Sequence, residues 1–330
     1  MKHLKSFSLY TLVGFLGVGI NFLLMPYLSH YIDPEGYGIL SMVNSFVTIL
    51  IPLVSLTASG LIAVEYYRTK DKKEFASIFS SLQVIPILPG LVILLITIVF
   101  PNAIARFLEI PADKSYWIPL SVLLALFSIY YETLLSFNVI EQKVKLYVTF
   151  SLVRLFLEVG LTILLISVFK LSWEGRLLSW MIASFISFGI SLFYFRSRGL
   201  ITFEIKKKYI RAGIIFGLPL ILHTIGKFVI NQSDRVFIAK MVSIEEAGIY
   251  NIGYQVGMVI LLIVGAVVNF IQPYLYQRLS ELTEKAEYEI VKTTYIVIIG
   301  LLISLLLLTF GSPILFRFFI DKSYSGGVVY

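Results

Sequence analysis

The sequence predicts an all-α polytopic membrane protein, and three observations carry that prediction. First, 58% of the 330 residues are hydrophobic and only 14% are charged, against about 45–50% and about 25% in soluble domains. Second, the apolar residues are gathered into long runs. No charged residue falls between Ile39 and Ala63, or between Gly248 and Gln277. Roughly 20 apolar residues cross about 30 Å of hydrocarbon, so both runs suffice with room for tilt. Third, these runs lack the polar face that a soluble core helix shows at every turn.

Nine spans follow in order: Phe7–Tyr31, Gly38–Val64, Ile78–Phe100, Trp117–Ile140, Leu146–Phe169, Leu177–Phe195, Ile210–Ile238, Gly248–Tyr276 and Ile290–Phe310. The N-terminal Met1-Lys2-His3-Leu4-Lys5 has the basic character of a signal peptide. The apolar stretch after it is too long for one and offers no small-residue cleavage site, so it reads as an uncleaved first span. Lys and Arg then set orientation. With the N-terminus inside, 17 of the 27 fall on inside segments and 8 on outside loops, including Arg176, Arg235 and Lys240. The other two, Arg154 and Lys227, lie within spans. The net charge of +7 is thus a membrane-orientation signal and not a sign of nucleic-acid binding, because no soluble basic domain exists to carry that.

The chain also repeats itself. A shift of 210 residues places Asn21 on Asn231, Glu35 on Glu245, Gly38 on Gly248, Arg68 on Arg278 and Phe100 on Phe310. Asp113-Lys114-Ser115-Tyr116 returns as Asp321-Lys322-Ser323-Tyr324, just after the third span of each copy. Six spans separate the copies, so the repeats share one orientation, as in transporters with two lobes related by an axis along the membrane normal. Residues 1–205 are expected to form an N-terminal lobe of six helices. Residues 206–330 are expected to form a truncated C-terminal lobe of about three, with a central cavity between lobes. The polar segment Arg196–Arg211 joins them. Its Lys206-Lys207-Lys208 run obeys the inside-charge rule, and anionic lipid head groups are a sharper reading of it.

Ionisable groups at mid-membrane cost roughly 2.5–3.5 kcal/mol each, so they should face protein or water. On the seventh span, His223, Lys227, Asn231 and Asp234 fall within an arc of about 80°. Gly217, Pro219 and Gly226 interrupt the same helix, and Pro219 should kink it. The fifth span sets Arg154 and Glu158 one turn apart, where an ion pair could neutralise itself. The fourth aligns Ser121, Ala125, Ser128, Glu132 and Ser136; only Glu132 there argues for more than close helix packing. The second and eighth spans carry uncharged stripes. Ser41, Ser45 and Ser59 meet Asn251, Gln255 and Asn269 under the same shift. Such groups suit sugar hydroxyls and equally suit helix packing. The candidate substrate path is therefore Lys227, Arg154, Asn231, Asn251, Gln255 and Asn269. The candidate ion carriers are Glu132, Glu158, His223 and Asp234.

No cysteine is present, which excludes disulfides, thiolate metal sites and a cysteine nucleophile. No Walker sequence, Gly-x-Ser-x-Gly, metal-spaced histidine pair or dinucleotide turn occurs. No metal, no cofactor and no enzyme activity is expected.

Gly217-Leu218-Pro219-Leu220 opening the seventh span, Ser233-Asp234-Arg235-Val236-Phe237-Ile238, Ala247-Gly248-Ile249-Tyr250 and Pro273 resemble, in order and spacing, the polysaccharide-unit flippases. These are the O-antigen and capsule transporters of the multidrug/oligosaccharidyl-lipid/polysaccharide superfamily. Asp33-Pro34-Glu35-Gly36-Tyr37-Gly38 resembles their first-repeat counterpart. The resemblance implies two lobes around a central cavity in the bacterial inner membrane. It implies movement of an undecaprenyl-diphosphate-linked oligosaccharide to the outer leaflet by alternating access. Membrane lipids and a glycan polymerase are the implied partners. Lys227 and Arg154 are the intramembrane cations for the diphosphate. The first span carries no Arg or Lys, unlike the cation-lined cavity of peptidoglycan-precursor flippases.

Three other readings stay open from the residues. A multidrug/cation antiporter of the same superfamily would use Glu132 and Glu158 as a deep acidic site. A membrane glycan polymerase or ligase would need a large outer loop, whereas the longest here is Pro101 to Tyr116. The truncated repeat would also suit an inactive fragment.

Overall fold

The computed structural model describes residues 2–281 and 283–330, without the side chains of 2–12, 262, 266, 269, 270, 272, 273, 277, 280 and 281. Asn269 therefore lies outside the described side chains. Among the described residues there are helices and no strand. They are α1 (Lys2–Ser29), α2 (Pro34–Ser55), α3 (Gly60–Arg68), α4 (Lys72–Val84), α5 (Ile87–Val99), α6 (Pro101–Phe107), α7 (Trp117–Ile140), α8 (Val144–Ile163), α9 (Trp173–Ser197), α10 (Lys207–Met241), α11 (Ile244–Gly257), α12 (Val259–Glu281) and α13 (Glu284–Phe318). Eight helical segments are long and apolar enough to cross a membrane, and Val13–Ser29 of α1 adds a shorter apolar stretch. The chain is an all-α polytopic membrane protein.

α7 has the bounds the sequence predicts, but three expected spans are broken. The second is divided into α2 and α3, because Leu56 (φ 47°) and Thr57 (φ 48°) turn left-handed. That conformation is rare for a β-branched residue. α10 holds it in place: Thr57 Oγ1 donates to the Gly217 carbonyl at 2.7 Å. A Cβ on Gly217 would run into the Leu56 carbonyl oxygen, so glycine permits this approach. The third span divides at Ile85-Pro86 into α4 and α5, where proline lacks the N–H that would continue the ladder. The eighth divides into α11 and α12. α8 ends in a π turn, Leu164–Val168. α10, by contrast, runs without interruption through Pro219.

Three segments expected as loops are helical in part. The stretch after the third span contains α6 and a 3-10 turn at Ala112–Lys114. Arg176 lies in α9, and Arg235 and Lys240 lie in α10, not in outside loops. In the N-terminal extension of α9, Glu174 Oε1 accepts from Lys114 Nζ at 3.2 Å and from Tyr116 at 2.8 Å, tying α9 to the start of α7.

The chain divides into two compact units. One is the chain up to Gly17 with Tyr31–Gly248, and the other is Val18–His30 with Ile249–Tyr330. The first unit has an aromatic core in which Phe79 packs on Phe195 and Phe137 with ring centroids 4.8 and 5.4 Å apart. The segment between α9 and α10 is strapped over this core. Ser80 Oγ donates to the Leu200 carbonyl at 2.8 Å and accepts from Thr202 N at 2.8 Å. Ser77 Oγ donates to the Glu204 carbonyl at 2.6 Å, and Ser81 Oγ accepts from Lys206 N at 3.0 Å. All three serines are buried, so the strap's backbone groups are satisfied by side chains rather than by water. In the second unit, α12 and α13 are joined by Arg278 Nη2–Glu289 Oε2 at 2.6 Å. A closing 3-10 turn, Lys322–Val329, is capped by Asp321. The second copy of the repeated tetrapeptide thus caps and opens a 3-10 turn, whereas in the first copy Asp113 and Lys114 complete a 3-10 turn that begins at Ala112.

Candidate functional site

The expected Arg154–Glu158 ion pair on α8 does not form. Glu158 instead pairs with Arg176 of α9 at 2.9 Å. Arg176 Nη1 also donates to Thr162 Oγ1 at 3.0 Å, and Thr162 Oγ1 lies 2.7 Å from Ser179 Oγ. This network cross-links the C-terminal half of α8 to the N-terminal turns of α9 and neutralises its own charge. The sequence hides it, because Arg176 lies 18 residues beyond Glu158 and past a turn.

Arg154 is thereby left without a carboxylate partner among the described residues. Its guanidinium lies over the Tyr131 ring of α7, 4.3 Å from the centroid. Nη2 donates to Ser184 Oγ of α9 at 3.1 Å. Ring face and hydroxyl fix the plane of the guanidinium but use few of its five N–H donors. Next to Tyr131, Glu132 is exposed on α7 and close enough to interact electrostatically with Arg154. Ser121, Ala125 and Ser128 above it are buried, so that upper stripe serves packing. Arg154, Tyr131, Ser184 and Glu132 therefore form one group at the α7/α8/α9 junction.

The α10 stripe is a second group. His223, Lys227 and Asn231 are exposed. Asn231 Nδ2 donates to the Lys227 carbonyl at 2.7 Å, but Lys227 Nζ and the His223 ring have no partner among the described residues. Asp234 is engaged: its Oδ1 accepts from Arg235 N at 2.8 Å and lies 3.2 Å from Arg235 Nη1. Arg235 is only 4% exposed and also donates to the Asn231 carbonyl at 2.7 Å. Beside it, Ser45 of α2 donates to Gln232 at 3.2 Å. Among the described residues, neither Lys227 Nζ nor the His223 ring makes a hydrogen bond or ion pair to the Arg154 group. In the second unit, Asn251 and Gln255 are half-buried on α11.

Tyr131, Ser184, Arg176, Gln232 and Arg235 are the polar participants that sequence reasoning missed. Tyr131 offered one signal: it lies in the middle of a span, away from the interfacial belt where tyrosines gather.

A further feature joins α2 to the start of α11. A Cβ on Gly38 would run into the Ile244 carbonyl, and one on Gly248 would run into the Pro34 carbonyl. Gly38 and Gly248 coincide under the 210-residue shift, and so do Pro34 and Ile244. The two glycines therefore make the same contact reciprocally. One turn along α2, Ser41 is buried, and its Oγ has no hydrogen-bond partner among the described residues.

Comparison with known proteins places one family and two relatives beside this chain. A sequence family described as "Polysaccharide biosynthesis protein" matches residues 3–278. "Lsg locus putative protein 1" of Haemophilus influenzae is 26% identical over 287 residues, covering 85% of this chain and 68% of that protein. An "Uncharacterized membrane protein" of the same organism is 24% identical over 288 residues, covering 85% of this chain and 67% of that protein. No solved structure matches the chain.

Proposed function

The chain belongs to the polysaccharide biosynthesis protein family, and from that premise we propose that it moves undecaprenyl-diphosphate-linked oligosaccharide units from the inner to the outer leaflet of a bacterial cytoplasmic membrane. Its N-terminus is cytoplasmic in this reading, on the Lys/Arg asymmetry. The observation that carries it is Arg154: an intramembrane guanidinium held flat by Tyr131 and Ser184 with donors to spare. A charge in that position is costly unless it meets an anion or water. Its planar fork fits phosphate oxygens in pairs.

Lys227, exposed on α10, is a second cation for the diphosphate. Asn231, Asn251, Gln255 and Asn269 would present amides to the sugars. Of the four candidate ion carriers, Glu158 is tied to Arg176 and Asp234 to Arg235. Glu132 and His223 are the two left able to exchange a proton without breaking an ion pair. The reciprocal Gly38/Gly248 contact is then the closure on the outer side, where α2 and α11 begin.

Transport of a lipid-linked, diphosphate-bearing oligosaccharide in proteoliposomes tests the reading. Losing a charge-assisted contact worth about 1.5–3 kcal/mol should slow Arg154→Met about 10- to 150-fold, with Arg154→Lys only partly recovering. Unchanged transport by Arg154→Met would remove Arg154 as the anchor. A second reading, an organic-cation antiporter, is favoured by the exposed carboxylate of Glu132. It predicts cation efflux that Glu132→Gln abolishes and Arg154→Met spares.

A further inference from the structure

The first turns of α10 carry a groove that the proposed site does not use. Its volume is about 230 Å³, and Lys207, Ile210, Arg211, Ile214 and Ile215 line it. Its walls are apolar and two cations stand at its rim. Lys207 and Arg211 are one helical turn apart, so both charges lie on one face. Both are exposed, and neither has an ion-pair partner among the described residues. Their neighbours are occupied. Lys206 lies 4.0 Å from Glu204. Lys208 stands over the Tyr209 ring at 4.5 Å, and that hydroxyl donates to Glu74 at 2.7 Å. Of the Lys206-Lys207-Lys208 run, Lys207 is the one with no neighbouring charge or ring of its own among the described residues, and Arg211 is its companion on that face.

Past Arg211 the same face continues as Ile215, Leu218 and Leu222, which are 60%, 51% and 75% exposed. The five residues fall within an arc of about 80°. From Arg211 to Leu222 the helix rises about 16 Å, close to the half-thickness, about 15 Å, of a bilayer's hydrocarbon. A different face of α10 is already taken, with Gly213 against Leu82 and Ile85, and Gly217 against Leu56. Two cations above an apolar strip one leaflet deep are complementary to an anionic amphiphile.

We propose that an anionic phospholipid of the inner leaflet binds here, with its phosphate between Lys207 and Arg211 and one acyl chain along Ile215, Leu218 and Leu222. Free phosphate would leave the apolar strip unused. A lipid-linked oligosaccharide would present a diphosphate and a polyprenyl chain, and its competition is one outcome of the test below. The proposal needs the membrane orientation given above but not the transport reaction.

The test uses the purified full chain in neutral detergent, titrated with phosphatidylglycerol or with phosphatidylcholine of the same acyl chains, and bound lipid counted by native mass spectrometry. The wild-type chain should prefer phosphatidylglycerol. The double variant K207Q/R211Q should lose about thirtyfold in phosphatidylglycerol affinity, about fivefold for each cation near a membrane surface, and bind phosphatidylcholine as before. The variant K72Q/K73Q, which removes two other inside cations, should bind both lipids like wild type. Unaltered phosphatidylglycerol binding by K207Q/R211Q overturns the proposal, and so does an equal loss in K72Q/K73Q. Displacement of phosphatidylglycerol by a polyprenyl diphosphate at tenfold lower concentration would also overturn it, by reassigning the occupant. Both sites of substitution are exposed, and elution as a single species confirms that the variants fold.

Discussion

Replacing Gly248 with alanine should loosen the contact between α2 and α11. A Cβ at Gly248 would stand 2.7 Å from the Gly38 nitrogen, whereas uncrowded contacts begin near 3.5 Å. The Pro34 carbonyl oxygen would stand closer still, so the helices must part by more than about 1 Å at this point. Backbone lines both sides, so no side chain can swing away to absorb the change. Overpacking of this kind costs about 1–3 kcal/mol. If that cost falls only on the state in which the glycines touch, the separated state gains about 5- to 150-fold in relative population. The chain has no cysteine, so a single introduced thiol reports cleanly. Ser41→Cys is close in size and lies buried one turn beyond Gly38. A membrane-impermeant thiol reagent applied from outside should label S41C/G248A several-fold faster than S41C. Gly38→Ala should act alike, because the two glycines make the same contact. Gly160→Ala is the control: nothing stands within 4 Å of its missing Cβ. It should leave labelling unchanged, with helix stability raised by up to about 1 kcal/mol. Equal labelling of S41C and S41C/G248A would refute the closure, and faster labelling from the cytoplasmic side would refute the orientation.

Two further outcomes follow from groups outside the membrane path. Ser80→Ala should leave the Leu200 carbonyl and Thr202 N–H without their partner, a loss of about 1–3 kcal/mol, and trypsin cleavage at Arg198 and Lys206 should accelerate about 5- to 150-fold; cleavage at the wild-type rate would mean that the strap is held by something else. At the closing 3-10 turn, the Ser323 backbone N–H and hydroxyl, donating to Asp321 at 2.9 and 2.7 Å, hold its carboxyl below the usual aspartate range. The unfolded carboxyl takes up its proton at the higher pH, so this stabilisation is present above about pH 4 and is lost as pH falls through the lower native value. Proteolysis of the C-terminal turn should therefore rise in that acid window for wild type and be flat with pH for Asp321→Asn.

The spans were legible because hydrocarbon tolerates few charges, and a run as long and apolar as Gly248–Gln277 suits a bilayer far better than a soluble core. Their breaks were not. Leu56 and Thr57 turn left-handed without glycine, because Gly217 of α10 supports them from 160 residues away. Pro86 did signal its break, but the apolar run on either side concealed it. Orientation counting placed Arg176 and Arg235 in loops because it reads charge and not helix continuation. The repeat put Gly38 opposite Gly248 in register, yet register alone cannot say that equivalent residues touch. At the site, Arg154 and Glu132 were legible as expensive groups. Their partners were not, since Tyr131, Ser184 and Arg176 are chosen by how α7, α8 and α9 pack.

Partner accounting separates the two roles that a charge can have inside a membrane. Sequence spacing made Arg154–Glu158 the self-contained pair and left Arg176 to a loop. The fold inverts this. Glu158 spends its charge on Arg176, with Thr162 and Ser179 completing the network, as a packing device should. Arg154 receives a ring and a hydroxyl, which orient it, and the charge of Glu132 reaches it without a direct ion pair. A fold that needed Arg154 only for cohesion would leave less of its donor capacity idle, because an unpaired charge in hydrocarbon is the costlier arrangement. The same reasoning separates Lys227 from Arg235 on α10: Arg235 is buried against Asp234, whereas Lys227 is exposed and unpaired among the described residues. The two cations kept available, and not the total number of intramembrane charges, are what favour an anionic cargo.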